Sequence, residues 1–260
     1  MRLAVFGDPI NHSLSPLLHE TALRAAGLEG TYVARRVDAV GMEAAVAEIR
    51  AGELDGGNVT MPHKELAARL CDRLAAEAAR AGAVNTLLRV GGRVIGHNTD
   101  IAGIRKAWQV AGLPGKGPVL ILGAGGAAAA AALALEGRDL SVCARQPAAA
   151  TSLIAKVSVA ATAIPWGQPV ANASIVNATP IGMRGEPLDQ EQLAAGAGLF
   201  DMTYGPHETP AVKQMSRRGL PAADGRLMLL HQAAAAFELW TGRGAPLAEM
   251  QAALTGAVAA

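Results

Sequence analysis

Lysine, aspartate, amide and hydroxyl side chains stand near the ends of predicted strands in the first hundred residues. Lys64 closes the run Asn58-Val59-Thr60-Met61-Pro62-His63-Lys64, which joins a predicted strand to a predicted helix, and Asp100 follows a predicted hairpin. When a nicotinamide cofactor carries the hydride of a carbinol oxidation, a separate group must take the hydroxyl proton. A lysine oriented by a carboxylate can do so, which makes Lys64 and Asp100 a candidate acid–base pair. The spacing fits equally a surface lysine at a helix start and an aspartate N-cap.

Two serines and a glutamine could bind a small polar acid. Ser13 and Ser15 precede a predicted helix with Pro16 in its first turn, so Ser15 is also a candidate N-cap. Two hydroxyls beside a helix N-terminus would hold a carboxylate. Gln232 lies on an apolar face of another predicted helix, where a buried amide needs partners, either substrate hydroxyls or backbone carbonyls.

A glycine turn in the middle of the chain is typical of a dinucleotide site. The pattern Gly123-x-Gly125-x-x-Ala128 follows a short apolar strand and opens a helix, within the run Gly123-Ala124-Gly125-Gly126-Ala127. The glycines allow a tight turn and close approach of a pyrophosphate to the N–H groups of the helix N-terminus. The same residues also occur in ordinary strand-to-helix connections.

The residue after the next strand indicates which dinucleotide would bind. The predicted strand Leu140–Ala144 ends in Arg145 instead of the acidic residue that accepts hydrogen bonds from an adenosine ribose. A cation at this position suits a 2′-phosphate, which favours NADP over NAD. The alternative is a solvated surface arginine.

Composition excludes several classes of function. The chain has 260 residues, enough for one large or two modest domains, and its 23 basic and 22 acidic residues give a net charge of +1. That balance predicts no nucleic acid and no anionic membrane as a partner. Aromatic residues make up only 3% while hydrophobic residues reach 51%, so the alanine-rich sequence predicts closely packed helices around a sheet.

No targeting, membrane or metal signal stands out. The start Met1–Asp8 is too short in its apolar stretch for a signal peptide, and no run approaches the roughly 18 apolar residues of a membrane span. Cys71 and Cys143 match no metal or redox spacing, and the six histidines are scattered. We therefore predict a cytoplasmic protein with reduced thiols and no metal.

Strand-like and helix-like runs alternate throughout, which predicts the α/β class. The predicted strands of the first hundred residues lie near Leu3–Phe6, Thr31–Val37, Gly56–Val59, Asn85–Arg89 and Arg93–His97. The predicted helices lie near Pro16–Ala26, Met42–Ala51 and Glu65–Ala81, followed by one that Asp100 would cap and that runs to about Ala111. Gly91-Gly92 predicts a hairpin turn.

A turn-rich break at Gly112–Pro118 precedes a second α/β unit. The predicted strands here are Val119–Leu122, Leu140–Ala144, Ser174–Asn177, Leu199–Met202 and Pro221–Ala223. The predicted helices are Ala127–Leu135, Arg226–Thr241 and Pro246–Leu254.

Several motifs in one order resemble the shikimate dehydrogenases of the shikimate/quinate dehydrogenase family. They run from residue 7 to about 242 and are Ser13-Leu14-Ser15-Pro16, Asn58-Val59-Thr60-Met61-Pro62-His63-Lys64, Gly82-Ala83-Val84-Asn85-Thr86, Asn98-Thr99-Asp100, Gly123-Ala124-Gly125-Gly126-Ala127, Asn177-Ala178-Thr179-Pro180-Ile181-Gly182-Met183, Asp201-Met202-Thr203-Tyr204 and Gly225-x-x-Met228-Leu229-x-x-Gln232. Unrelated short motifs in a fixed order are far more specific than any single motif.

The resemblance implies reversible, NADPH-dependent reduction of 3-dehydroshikimate to shikimate, a step toward chorismate and the aromatic amino acids. It implies that Lys64 donates or accepts the proton and that Ser13 and Ser15 hold the substrate carboxylate. It further implies a substrate-closing tyrosine, Tyr204, and four residues that bind ring hydroxyls: Thr60, Asn85, Asp100 and Gln232.

The resemblance also implies the domain organisation. Residues 1–100 with 226–260 would form a substrate-binding catalytic domain, and residues 101–225 a Rossmann-type NADP-binding domain, with a cleft between them. Met202 and Gly225 would lie near the nicotinamide, and the protein would be a monomer or a homodimer.

One departure leaves an alternative open. The family often carries Asn-Arg-Thr-x-x-Arg after the second nucleotide-binding strand, whereas this chain has Ala144-Arg145-Gln146-Pro147-Ala148-Ala149. Losing one arginine–phosphate contact of about 1.5 kcal/mol would weaken the NADP preference roughly tenfold. A quinate/shikimate dehydrogenase that uses NAD is therefore the nearest alternative, and a non-catalytic sensor of dinucleotide or shikimate is a more distant one.

Overall fold

A computed structural model describes residues 1–11, 13–205 and 207–259, and the chain forms two compact units. The first unit comprises Met1–Asp100 and Leu230–Ala260, and the second comprises Ile101–Leu229. The second boundary thus falls after residue 229, whereas the sequence prediction placed it after residue 225. Both units combine a six-stranded sheet with helices, which confirms the predicted α/β class.

The first unit alternates strands and helices before it ends in two helices from the C-terminal part of the chain. Its elements are β1 Arg2–Gly7, α1 Ser15–Ala25, β2 Thr31–Arg36, α2 Ala39–Ala51, β3 Gly56–Val59, α3 Lys64–Leu70, β4 Arg73–Leu74, α4 Ala76–Ala81, β5 Thr86–Val90 and β6 Arg93–His97.

The second unit continues this alternation and ends within the first C-terminal helix. Its elements are α5 Thr99–Val110, β7 Pro118–Leu122, α6 Gly126–Ala134, β8 Asp139–Cys143, α7 Pro147–Val157, β9 Ala161–Ile164, β10 Ser174–Asn177, α8 Gln190–Ala195, β11 Gly198–Asp201, α9 Pro210–Arg217 and β12 Ala222–Ala223. The chain then continues through α10 Gly225–Thr241 and α11 Leu247–Ala259.

The first sheet has the order β2-β1-β3-β5-β6-β4 and is mixed. Strands β1, β2 and β3 run parallel, whereas β5 pairs antiparallel with both β3 and β6. The register sets Asn58 opposite Thr86 and Thr86 opposite His97. Polar residues at the ends of β3, β5 and β6 are thereby brought together.

The second sheet is parallel in the order β12-β11-β10-β7-β8-β9. Counted from β7 in chain order, this is the order 6-5-4-1-2-3 of a doubly wound dinucleotide-binding fold. The strand order reverses between β7 and β10, and ligands of such sheets bind beyond the strand ends at this point. Gly123 and Ala178 follow those two strands directly.

The predicted helix over Glu65–Ala81 is wrong, because strand β4 interrupts it. Residues flanking β4 bond to the neighbouring strand instead of to a helical turn: the Asp72 N–H donates to the Val94 carbonyl oxygen and the Ala75 N–H to that of Gly96, each at 2.9 Å. A Cβ at Gly96 would lie 2.8 Å from the Cys71 Sγ atom, so only glycine allows this close approach. Long-range pairing overrides the helical pattern here.

The two predicted N-caps are also wrong. Helix α1 begins at Ser15 with Leu14 as its N-cap and no side-chain cap, so Ser15 is the first helical residue. Helix α5 begins at Thr99, which places Asp100 inside its first turn. Both side chains are therefore available for roles other than capping a helix.

A fully buried histidine lies in the core of the first unit. His19 is fully buried and stacks on Tyr32 at a centroid distance of 4.3 Å, with Trp240 at 5.1 Å. Neither ring nitrogen has a hydrogen-bond partner among the described residues. Burial lowers the pKa of His19 to about 3, which the neighbouring Asn58 opposes only in part.

We expect His19 to make the protein sensitive to acid. The folded state keeps this imidazole neutral, whereas the unfolded chain binds a proton near the ordinary pKa of 6.5. The contribution of the neutral His19 to the free energy of unfolding is therefore fully present above pH 6.5. It is lost as the pH falls from 6.5 toward 3, by up to about 1.4 kcal/mol per pH unit. Urea unfolding followed by tryptophan fluorescence at several pH values measures this loss.

The variant His19→Phe keeps an aromatic ring in the stack but removes the titrating group. As the pH is lowered below neutral, the urea midpoint of this variant should decrease less steeply than the urea midpoint of the wild type. His207→Gln, which changes an exposed histidine, should retain the wild-type slope. Equal slopes in His19→Phe and the wild type would contradict this origin of the acid sensitivity.

Candidate active site

The candidate acid–base pair is formed. Lys64, the first residue of α3, places its Nζ atom 2.6 Å from Oδ2 of Asp100. The aspartate side chain is 5% exposed and the lysine side chain 20% exposed, so the pair is mostly shielded from solvent and the lysine is its more accessible member. The Lys64 carbonyl oxygen accepts from the Val84 N–H at 2.9 Å, which ties the start of α3 to the segment leading into β5. The prediction that these two residues meet is confirmed.

Two amides complete the cluster around Asp100. Asn85 Nδ2 donates to Asp100 Oδ1 at 2.8 Å and lies 3.3 Å from Gln232 Oε1. Asn85 and Gln232 are 147 residues apart in sequence, and both are buried. Four of the predicted site residues therefore converge, and they offer one ammonium, one carboxylate and two amides to a small polar molecule.

The serines and the threonine are placed by the loops after β1 and β3. The Ser15 N–H donates to Ser13 Oγ at 3.3 Å, so these two residues are neighbours. The Thr60 N–H bonds to the Phe6 carbonyl oxygen at 2.8 Å. A Cβ at Gly7 would overlap the Thr60 side chain, so glycine at position 7 is what admits Thr60 beside β1. Because β1 and β3 are parallel neighbours, their loops bring these hydroxyl residues to the same edge of the sheet.

The glycine turn has the geometry that a dinucleotide requires. Gly123 follows β7 with φ +113°, and a Cβ there would lie 2.9 Å from the Ala178 carbonyl oxygen. Gly125 is the N-cap of α6 and brings no side chain to the first helical N–H groups. A Cβ on Gly125 would meet no described heavy atom within 4 Å, so this end of the helix is open. A pyrophosphate fits such a cradle, formed by Gly123, Ala124, Gly125, Gly126 and Ala127.

Alanine substitutions should separate the two roles of these glycines. Gly123→Ala should cost about 1–3 kcal/mol of stability, because an L residue is strained at this φ and its Cβ is crowded. Gly125→Ala should leave the unfolding midpoint nearly unchanged yet raise the KM for the dinucleotide roughly tenfold, as loss of one charge-assisted hydrogen bond would. Thermal unfolding and cofactor titration measure both effects. An unchanged KM in Gly125→Ala would show that the turn does not hold the cofactor.

The other residues predicted at the cofactor lie on three different elements of the second unit. Arg145 is exposed two residues after the end of β8. Gly225 begins α10, and its N–H donates to the Thr203 carbonyl oxygen at 2.9 Å, while a Cβ there would overlap the Met202 carbonyl. Met202 and Gly225 are therefore packed together, and Tyr204 follows in the same loop, half-buried.

A buried carboxylate in the second unit belongs to a quoted motif but was given no role from the sequence. Asp201 is fully buried at the end of β11 and accepts from Asn177 Nδ2, Thr203 Oγ1 and Thr209 Oγ1 at 2.7–2.8 Å. Burial raises its pKa, and these donors, with the Thr203 N–H, oppose the rise. Asp201 thus fixes the loop that carries Met202. The sequence signal that could have predicted this role is an acidic residue at the end of an otherwise apolar, buried strand.

The part of the chain that the structure describes contains no helix that combines the length and apolar character of a membrane span. Within the same residues, no group of three or more His, Cys, Asp or Glu side chains could hold a metal ion.

Comparisons with known proteins extend over both units. A family model described as the shikimate dehydrogenase substrate binding domain matches residues 5–87, and one described as the shikimate 5'-dehydrogenase C-terminal domain matches residues 225–255. The chain is 41% identical over 252 residues to shikimate dehydrogenase (NADP(+)) from Acidiphilium cryptum, with 93% of this chain and 91% of that protein covered.

Solved structures of shikimate 5-dehydrogenase are similar to this chain over its full length. The crystal structure of shikimate 5-dehydrogenase from Thermus thermophilus in complex with shikimate matches with a TM-score of 0.90 at 38% identity and covers 100% of both chains. The structure of that enzyme in complex with NADP(H) and shikimate gives a TM-score of 0.88 at 37% identity and covers 99% of both chains.

Proposed function

Because this chain belongs to the shikimate dehydrogenase family, we propose that it catalyses the reversible NADPH-dependent reduction of 3-dehydroshikimate to shikimate. The reaction is a step toward chorismate and the aromatic amino acids. The observation that carries the proposal is the ion pair of the partly exposed Lys64 with the buried Asp100, at 2.6 Å, with Asn85 on the second carboxylate oxygen.

Lys64 performs the proton transfer in this proposal. Reduction of a ketone adds a hydride to the carbonyl carbon and a proton to its oxygen, and NADPH, when bound, supplies the hydride. The Lys64 ammonium gives its proton to that oxygen, and in the oxidation direction the neutral amine takes the hydroxyl proton back. Asp100 holds the Lys64 side chain in one orientation and binds a substrate hydroxyl.

The remaining polar residues hold the substrate. Ser13 and Ser15 bind the carboxylate with their hydroxyls, because a helix N-terminus beside them favours an anion. Thr60, Asn85 and Gln232 bind the ring hydroxyls, whose donors and acceptors match hydroxyl and amide side chains. Residues 1–100 with 226–260 are on this proposal the substrate-binding catalytic domain, and Tyr204 closes over the substrate.

Residues 101–225, which lie within the second unit, are on this proposal the NADP-binding domain. The glycine turn and the start of α6 hold the pyrophosphate, Arg145 holds the 2′-phosphate, and Met202 and Gly225 lie at the nicotinamide. The parallel sheet with its order reversal between β7 and β10 supports this assignment. A cytoplasmic location and a monomeric or homodimeric state stay predictions from the sequence.

Arg145 should set the preference for the phosphorylated cofactor. Arg145→Ala is expected to lower kcat/KM for NADPH roughly tenfold, since one exposed arginine–phosphate contact contributes about 1.5 kcal/mol. The value for NADH should not change, because NADH has no 2′-phosphate. Arg217→Ala, which removes another exposed arginine of the second unit, is the matched control. Equal losses with both cofactors would exclude a role for Arg145 in recognising the phosphate.

A quinate/shikimate dehydrogenase that uses NAD is the second candidate, favoured by one observation. Only Arg145 follows β8 where the family often has two arginines. Measuring kcat/KM for shikimate and quinate with NADP⁺ and with NAD⁺ decides between the two. We expect shikimate with NADP⁺ to give the highest value, and the highest value for quinate with NAD⁺ would overturn the assignment.

A further inference from the structure

Two polar side chains face each other across the first sheet without reaching solvent. Asn58 of β3 and Thr86 of β5 are cross-strand partners, and their side chains are 4% and 0% exposed. Asn58 Nδ2 donates to Thr86 Oγ1 and to the Asn85 carbonyl oxygen, both at 3.0 Å. Polar groups buried in this way must satisfy one another, so the arrangement of their hydrogen bonds is constrained.

Two backbone groups fix the orientation of both asparagine amides. The Asn85 carbonyl can only accept, so Asn58 presents Nδ2 to it and Oδ1 to the Tyr32 hydroxyl, which donates at 2.6 Å. The Thr99 N–H can only donate, and it bonds to Asn85 Oδ1 at 2.7 Å. Asn85 Nδ2 must therefore face Asp100, where it donates to Oδ1 at 2.8 Å.

Thr86 joins the two amides in one direction. Its hydroxyl oxygen accepts from Asn58, so its single proton is available for Asn85 Oδ1 at 3.1 Å or for the Thr99 hydroxyl at 3.0 Å. The Thr99 hydroxyl in turn lies 3.2 Å from Asn85 Oδ1. By the direct route, donation runs from Tyr32 through Asn58 and Thr86 to Asn85. The route through Thr99 reaches Asn85 when the Thr99 hydroxyl donates to Asn85 Oδ1 instead of to Gln232 Oε1, which lies 3.5 Å away.

We propose that Thr86 is a positioning residue: with Tyr32 and Asn58 it forms a buried donor chain that brings a second donor to Asn85 Oδ1, beside the Thr99 N–H, and so stabilises the orientation in which the Asn85 amide donates to Asp100. The donor chain ends at the carboxylate that pairs with Lys64, and Tyr32, Asn58, Thr86 and Asn85 are each less than 5% exposed. The inference rests on the proposed function only for the catalytic consequence, because the orientation of Asn85 can be measured without substrate.

The other end of the chain lies at the residues proposed for the substrate carboxylate. Burial raises the pKa of Tyr32 well above its ordinary value, and a side-chain hydrogen bond with Ser15 opposes that rise in part. Tyr32 thus keeps its proton and remains a donor. The donor chain leads from Tyr32 to Asp100, so a lost hydroxyl within it should lower turnover without removing a group that is proposed to touch the substrate.

The kinetic test removes the Thr86 hydroxyl at nearly constant volume. Thr86→Val should lower kcat roughly tenfold, because it leaves Asn58 Nδ2 with one acceptor fewer and Asn85 Oδ1 with one donor fewer, so that Thr99 alone opposes rotation of the Asn85 amide. The KM for shikimate should stay within about threefold, and Thr86→Ser, which restores the hydroxyl, should recover kcat to within about twofold. A value of kcat within twofold of wild type for Thr86→Val, or an equal loss in Thr86→Ser, overturns the proposal.

Tyr32→Phe removes the first donor of the same donor chain and so provides a second test. It should lower kcat about threefold, and the double variant with Thr86→Val should be no slower than Thr86→Val alone, because both changes break one chain. If the loss of kcat in the double variant equals the product of the two single losses, the residues do not act through one donor chain and the proposal is wrong. Val94→Ala, a buried change in β6 away from the chain, should lower the unfolding midpoint and leave kcat unchanged.

An NMR measurement separates failure of this inference from failure of the proposed function. The Asn85 side-chain amide protons of the free protein should exchange with solvent at least about tenfold faster in Thr86→Val than in wild type, and Thr86→Ser should match wild type. Unchanged exchange in Thr86→Val overturns the inference whether or not the protein reduces 3-dehydroshikimate. An inactive wild type with the expected exchange pattern would overturn only the proposed function.

Discussion

Lys64→Ala is expected to lower kcat about 10²- to 10⁴-fold while the KM for shikimate changes little. The range is that of a positioned general acid or base, and Lys64 is the proton donor in the proposed reduction. Because the proton transfer from Lys64 stabilises the transition state and not the bound substrate, kcat and kcat/KM should fall together. Steady-state kinetics in both directions measure this effect.

Lys64→Arg makes the same test without removing the positive charge beside Asp100. A guanidinium keeps its proton at any working pH, so this variant should be nearly as slow as Lys64→Ala. Lys106→Ala, which removes an exposed lysine of α5, should retain wild-type turnover. Intact kcat in Lys64→Ala with a raised KM would mean that the lysine only binds substrate.

Asp100→Asn should affect turnover and substrate binding together, in contrast to Lys64→Ala. The carboxylate accepts from Lys64 Nζ at 2.6 Å and from Asn85 Nδ2 at 2.8 Å. An amide can offer an oxygen to only one of these donors, and its NH₂ group would oppose the other. Loss of one or two charge-assisted bonds, each about 1.5–3 kcal/mol, predicts a fall in kcat/KM of roughly 10- to 10⁴-fold.

The kinetic pattern for Asp100 needs a control for charge. Asp139→Asn makes the same substitution at an exposed position of β8 and should leave both constants unchanged. If Asp100→Asn lowers kcat/KM less than about threefold, the carboxylate neither orients Lys64 nor binds a hydroxyl of the substrate.

Much of the second sheet could be predicted because its signals are local. A buried four-residue apolar run followed by glycines marks β7 and the turn into α6, and Gly123 in that turn has a φ that only glycine adopts easily. The hairpin at Gly91-Gly92 is confirmed by two positive φ angles, 55° and 76°. Both features depend on residues adjacent in sequence.

Some local signals were present and not used. Helix α9 begins after Thr209, whose side chain accepts from the Val212 N–H, and Pro210 stands at its first position. Helix α7 likewise begins at Pro147. These are N-terminal signatures of a helix, yet no helix was predicted at either position.

Other features depend on contacts between distant residues and could not be predicted. Strand β4 forms because of its bonds to β6, which a helical pattern over residues 65–81 does not indicate. Asn85 lies close to both Asp100 and Gln232 because of the sheet register and because α10 brings in Gln232, which is 147 residues away in sequence. Sequence motifs supplied the members of the site, whereas the donor chain through Thr86 became visible only from its directions and distances.

The most direct test is to mix the purified protein with NADPH and 3-dehydroshikimate and to follow absorbance at the nicotinamide band. We expect one NADPH to be oxidised for each shikimate formed, and this activity to be nearly lost in Lys64→Ala. Absence of NADPH oxidation by correctly folded wild-type protein would contradict the proposed reaction and would favour a protein that binds dinucleotide or shikimate without catalysis.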